Sequence, residues 1–261
     1  MAGQDSAGQD SAEATDPAGA VATVTLCRPR RRNAMTPGMW RGLARIGDEL
    51  PSEVRVVVIK GEGPSFSAGI DLRLFSAEGV PGEESPPDLR SDGFDDWIAG
   101  CQAGYTWLRR PGIVSIAAVQ GHAIGAGFQL ALSCDLRILA DDATFCMKEP
   151  ALGLVPDLTG TKPLVDIVGL PRALEMCLTA RTVDAAEAAR IGLAEIVVPG
   201  GRLDATVADL CAALLATDAA TARATKKLLS LAPGHTLSEQ AAAERRMQAE
   251  LATERLGPLP R

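Results

Sequence analysis

The chain has 261 residues, 46% hydrophobic and 23% charged, with a formal net charge of −7, which suits one compact domain with a sizeable core rather than a disordered or fibrous chain. The acidic balance excludes a general nucleic-acid binder, and no run approaches the roughly 18 uninterrupted apolar residues of a membrane span. Six cysteines lie scattered without CxxC pairs, so they read as small core residues rather than a disulfide framework or a metal site.

In chain order, residues 1–18 carry AGQDS twice in tandem and almost no apolar side chains. They cannot offset the entropy of ordering and read as a disordered tail. With neither a basic start nor an apolar core the tail is no secretory signal, and the protein is expected in the cytoplasm. Residues 21–27 (VATVTLC) form a β-branched run typical of a strand. Thr36 and Pro37 then read as an N-cap and a first-turn proline. Met39, Leu43, Ile46 and Leu50 follow at helical spacing. Residues 54–59 (VRVVVI) predict a buried strand, and the Pro-, Gly- and acid-rich stretch 76–93 a mobile surface loop. A helix carrying Trp97 and Trp107 comes next, then a strand at 113–119 and a Gly-rich turn at 121–127. An apolar helix at about 128–134 precedes two short strands, near 136–139 and 144–147. Strands alternating with helices define an α/β class. Beyond 202 the pattern is helix only, at 203–216, 219–230 and 237–251. The chain therefore divides into a tail (1–18), a core (19–201) and a helical C-terminal region (202–261).

Several catalytic groupings are absent. There are two histidines, His122 and His235, and no GxSxG, HExxH or GxGxxG after the first strand, which leaves carboxylates and backbone amides as tools. Two Gly-containing turns stand out: SFSAGIDL at 65–72 and GHAIGAG at 121–127, the second joining a strand to a helix. Small residues let the backbone approach a ligand, and a helix N-terminus offers unpaired N–H groups. Two such turns aimed at one oxygen would make an oxyanion hole. Taken alone, the pattern is weak, because Gly-rich turns are usually just tight turns.

Four strings are more specific: VTLCRPRRRNAM (24–35), VVVIKGEGPSFSAGIDL (56–72), AAVQGHAIGAGFQLALSCDLRILADDATF (117–145) and EPALGLVPDLTGT (149–161). In this order and spacing they resemble the enoyl-CoA hydratase/isomerase (crotonase) superfamily over nearly the whole ordered length. The resemblance implies a crotonase-like spiral of repeated ββα units with a C-terminal helical trimerisation region. It also implies a homotrimer or dimer of trimers acting on an acyl-CoA held in a bent pose. It carries the two oxyanion N–H donors onto Ala68 and Ala126, each worth roughly 3–4 kcal/mol to a thioester enolate. Gly69, Ile70 and Gly125 flank them as substrate contacts. Asn33, Ala34 and Met35 resemble the segment that lines the CoA groove. The cluster Arg28, Arg30, Arg31 and Arg32 offers the phosphates a cation, with Arg30 taken as its representative and Lys226 and Lys227 as a second source. No metal and no cofactor beyond the coenzyme A of the substrate is implied.

Hydratases that resemble this chain use two glutamates. The second matches Glu149; the first falls on Gln129, an amide that can hold a water but cannot titrate. Asp157, eight residues after Glu149, occupies a place where dienoyl-CoA and ring-epoxide isomerases carry an acid. Glu149 and Asp157 together suit removal of a proton from one carbon and delivery to another. The expected reaction is a double-bond shift in an unsaturated acyl-CoA. Hydration of a 2-enoyl-CoA is the alternative, and a non-catalytic acyl-CoA-binding protein the alternative of another class. Asp157 is also open to reading as the cap of a helix starting near 159–161. Asp71 and Asp135 read as structural turn acids.

Overall fold

The computed structural model describes residues 12–14, 19–88 and 90–256. Its strands are β1 (Ala12–Ala14), β2 (Val21–Leu26), β3 (Val56–Gly61), β4 (Val114–Val119), β5 (His122–Ile124), β6 (Leu136–Ala140), β7 (Thr144–Cys146), β8 (Val183–Asp184) and β9 (Ile196–Val198). The α-helices are α1 (Pro37–Glu49), α2 (Gly93–Thr106), α3 (Ala126–Ser133), α4 (Thr161–Val168), α5 (Leu170–Thr179), α6 (Ala185–Arg190), α7 (Leu203–Leu215), α8 (Ala219–Leu231) and α9 (Leu237–Leu256). Six strands form one sheet in the order β1-β2-β3-β4-β6-β9, and β5-β7-β8 form a second.

The pairing shows a repeated unit. Each unit sends its first strand into the large sheet and its next segment into a smaller layer, then closes with a helix. β4, β5 and α3 make one such unit; β6, β7 and α4 make the next. The two preceding units have single bridges where the later ones have strands. Met35, after β2, pairs with Ile70, after β3, and Ser67 pairs with Ala123 of β5. This is the expected spiral of ββα units, and it stacks the 65–71 and 121–127 segments side by side.

The large sheet is parallel from β2 to β9 and buried on both faces, so its strands are continuous aliphatic runs. One face meets α1, α2 and α3 through Trp40, Leu43, Tyr105, Phe128 and Leu130. The other is covered by α7, whose Leu203, Val207 and Cys211 pack on Val56, Val58, Ile116 and Ile138. The helical region expected from 202 thus begins with a helix integral to the body. α1 starts as the sequence predicts: the Thr36 hydroxyl accepts the Met39 N–H at 3.3 Å, with Pro37 in the first turn.

Three expectations change. Ala12–Ala14, within the segment read as disordered, pairs antiparallel with β2 as an edge strand; residues 1–11 and 15–18 lie outside the described residues. Part of the Gly-rich stretch 121–127 is β5 rather than turn, paired in parallel with β7. The 76–93 loop is pinned at two points: Val80 is buried, and Glu83 Oε2 accepts the Gly38 N–H at 2.7 Å.

Candidate active site

The first turn is built by Asn33. Its side chain is fully buried; Oδ1 accepts the Arg28 N–H at 2.9 Å, and Nδ2 donates to the carbonyls of Glu62 (2.9 Å) and Ser65 (2.8 Å). The Ser67 hydroxyl donates to the Asn33 carbonyl at 2.8 Å. Asp71 closes the turn between Arg73 and Arg28, at 2.7 and 3.1 Å. The hydrogen bond from Arg73 is the main reason its carboxyl is held down at about 2. Asp71 is therefore the structural turn acid expected.

This frame decides which N–H groups are available. The Ala68 N–H donates to the Arg32 carbonyl at 2.8 Å. Ala68 was expected to supply an oxyanion donor, but its amide is already committed to the protein. The Met35 N–H donates to the Gly69 carbonyl (2.7 Å), and the Asp71 N–H donates to the Met35 carbonyl (2.9 Å). In a parallel bridge these two bonds straddle Ile70, so the N–H of Ile70 faces away from Met35. Among the described residues it has no acceptor. Gly69 produces this arrangement. Its φ of 90° interrupts strand alternation, and a Cβ there would sit 2.7 Å from the Ile124 carbonyl oxygen and 3.7 Å from the Ala126 nitrogen. Gly69 and Ile70 therefore lie against the start of α3.

That start supplies the second amide. Gly125 is tied by its N–H to the Cys146 carbonyl at 2.8 Å, and α3 has no side-chain N-cap. The Ala126 N–H, in the first turn, has no acceptor among the described residues, as helix geometry dictates. The carbonyl of Ala126 is fixed from behind. It accepts the Tyr105 hydroxyl at 2.9 Å, and Trp40 Nε1 donates to that hydroxyl at 3.1 Å. The two turns touch, because a Cβ on Gly127 would lie 2.6 Å from the Ser67 Cβ. Ile70 and Ala126 thus present two unpaired N–H groups at one junction.

The acids stand beside it. Glu149 opens the 3-10 turn Glu149–Leu152 after β7, and its Oε1 lies 3.1 Å from where a Gly125 Cβ would be. Oε1 accepts Gln129 Nε2 at 2.7 Å, whereas the buried Oε2 has no partner among the described residues. Burial raises the affinity of Glu149 for its proton; hydrogen bonds from the backbone and Gln129 oppose this, and the charge of Asp157 adds to it. Burial likewise raises Asp157 above the ordinary aspartate range. Its backbone carbonyl accepts Gln102 Nε2 at 2.6 Å. Asp157 is not a helix cap: α4 begins at Thr161 with Gly160 at the N-cap and no side-chain cap bond.

Other expected contacts are redistributed. Gln129 is wholly buried and serves protein groups rather than lining the site, with Oε1 accepting the N–H groups of Leu158 (2.9 Å) and Gly160 (3.1 Å). Met35 is wholly buried too, and its backbone holds Ile70 in place instead of facing a ligand. The Ala34 carbonyl accepts Arg28 Nη1. Arg30, Arg31 and Arg32 are exposed on and after the 3-10 turn Pro29–Arg31. Lys226 is not available for phosphate, because its ammonium donates to the carbonyls of Arg110 and Ile113 and to Asp135, the last at 2.6 Å. Sequence reasoning missed the Trp40–Tyr105–Ala126 chain, since partners 65 and 21 positions apart leave no local periodic signal.

Known proteins place this geometry. The enoyl-CoA hydratase/isomerase family pattern matches residues 16–256. A Thermobifida fusca YX protein, provisionally named an enoyl-CoA hydratase and solved with acetoacetyl-CoA, superposes with a TM-score of 0.88. It is 62% identical over 90% of this chain and 92% of its own. "Probable enoyl-CoA hydratase echA8" of Mycobacterium bovis is 32% identical over 87% of this chain and 84% of its own length. The mitochondrial Delta(3,5)-Delta(2,4)-dienoyl-CoA isomerase of Dictyostelium discoideum is 29% identical over 84% of this chain and 76% of its own length. With family-wide sequence agreement, the repeated ββα architecture and two free amides at one junction, this chain belongs to the enoyl-CoA hydratase/isomerase family of enzymes.

Proposed function

We propose that the enzyme shifts a double bond in an unsaturated acyl-CoA. The observation that carries this reading is the pair of half-buried carboxylates, Glu149 and Asp157, both with raised proton affinity, beside the Ile70 and Ala126 amides. The thioester oxygen accepts from those two N–H groups. Glu149 Oε2 takes a proton from the carbon next to the thioester, and the negative charge moves onto the oxygen, where the amides stabilise it. Collapse of the enolate toward the far end of the conjugated system draws a proton from Asp157. Each turnover leaves Glu149 protonated and Asp157 ionised, so exchange with solvent resets them. Burial raises the proton affinity of both carboxyls, which favours Asp157 as a proton carrier and makes ionised Glu149 a stronger base than an ordinary carboxylate. Arg30 and its neighbours supply cations for the CoA phosphates.

Hydration is the second reading, favoured by the name given to the Thermobifida fusca relative. It would need Asp157 to do the work of a glutamate where this chain has Gln129. Incubation with 2-enoyl-, 3-enoyl- and dienoyl-CoAs in deuterated water, read by mass spectrometry and NMR, separates the two. Isomerisation gives a shifted double bond with deuterium on carbon and no added oxygen. A 3-hydroxyacyl product as the main outcome would overturn it.

A further inference from the structure

Gln129 stands where sequence comparison expects an acid, yet its geometry gives it a definite task. A carboxamide has one acceptor oxygen and one donor nitrogen. Oε1 is occupied by the Leu158 and Gly160 N–H groups at 2.9 and 3.1 Å, so the nitrogen must face Glu149, to which it donates at 2.7 Å. The two backbone donors converge on one oxygen because Thr159, between them, is left-handed (φ 67°). That conformation is unfavourable for a β-branched residue. Gly160 is packed on the same side chain, where a Cβ would sit 2.6 Å from Gln129 Cγ. The loop held this way is the one that carries Asp157.

We infer that Gln129 is a positioning residue that locks the Asp157 loop to Glu149 and leaves Glu149 Oε2 as the only oxygen through which Glu149 exchanges its proton. The inference rests on the proposed roles of the two acids. Because an amide cannot titrate, the Oε1 side of Glu149 always receives a donor, whatever the pH. A glutamate at 129 would keep the acceptor half of the clamp and abolish the donor half. It would also set two carboxylates within hydrogen-bond distance, which must then share one proton. A methionine of similar size would abolish both halves.

The test uses the free enzyme and needs no turnover, so it can fail independently of the reaction assigned above. Carboxyl-13C-labelled glutamate NMR, with Glu149→Gln to assign the signal, follows the titration of Glu149 in the parent, Gln129→Glu and Gln129→Met. Amide hydrogen exchange follows Leu158 and Gly160 in the same proteins. Gln129→Glu should give two coupled titration steps, the upper one above the parent's single midpoint, with both amides still protected. Gln129→Met should raise the Glu149 midpoint in one step and speed exchange at Leu158 and Gly160 by about tenfold or more, the scale of a lost buried hydrogen bond. An unchanged Glu149 midpoint in both variants, or unchanged amide protection in Gln129→Met, would overturn the inference. If the titrations shift as stated while the parent shows no double-bond shift, the coupling stands and the reaction assignment falls.

Discussion

Single residues in this site are held where water would otherwise claim them. Glu149 illustrates the cost. Its folded-state pKa is raised by burial above the ordinary 4.5, so between those two values the folded chain binds more protons than the unfolded one. Stability therefore falls as pH rises through that window, and is unaffected by this group below it. Glu149→Gln removes the burden and keeps an acceptor for Gln129. The variant should melt higher than the parent at pH 7, with the gap closing as pH falls toward about 4.5, while turnover is lost. A variant that melts lower than the parent at neutral pH would show that the carboxylate is stabilising. The sequence exposed Glu149, Asp157 and Ala126 because they sit in contiguous motifs. In the first turn it pointed to Ala68, whose N–H donates to the Arg32 carbonyl, whereas the N–H of Ile70 is the one without an acceptor among the described residues. Which N–H is free depends on the Met35–Ile70 bridge and the Arg32 carbonyl, contacts that no local spacing reveals.

At the scale of elements, the site exists because two ββα units bring their middle segments into contact. Gly127 sets that distance: a Cβ would meet both the Ser67 Cβ and its carbonyl oxygen at 2.6 Å. Gly127→Ala should push the 65–71 segment from α3 and cost about 1–3 kcal/mol of stability, the usual scale of overpacking. Because the two amides then no longer share one oxygen, kcat should fall at least tenfold while affinity for CoA itself changes little. Stopped-flow turnover and calorimetric titration with CoA would check both, and an unchanged kcat would remove the contact from the account. Elements with a long periodic signature were legible. α1 shows its cap, proline and Met39–Leu43–Ile46 stripe, and β3 is a plain aliphatic run. β5 was not, because three residues are too few to establish a period and its flanking glycines suggest a turn.

Over the whole molecule, the α/β class followed from strands alternating with helices and the ββα spiral from the resemblance that four motifs carry, whereas the packing of α7 on the large sheet followed from neither. Its apolar face is plain in the sequence, but nothing local says what it covers. Among the described residues nothing covers a different face. Leu170, Leu174 and Leu178 of α5 are 57%, 48% and 73% exposed, one helical turn apart, which is more aligned apolar surface than isolated exposure accounts for. We propose that the enzyme is a homotrimer or a dimer of trimers; sedimentation should show one of these at micromolar concentration, and a stable monomer would contradict it. The central claim concerns the two acids acting through one enolate. Turnover of the preferred unsaturated acyl-CoA by Asp157→Asn, Glu149→Gln and the double variant tests it most directly. Each single change should cut kcat by about 100-fold or more, with substrate affinity little altered and the double variant much less than additive. Full activity in Asp157→Asn would contradict the account and leave Glu149 to act without a second proton carrier.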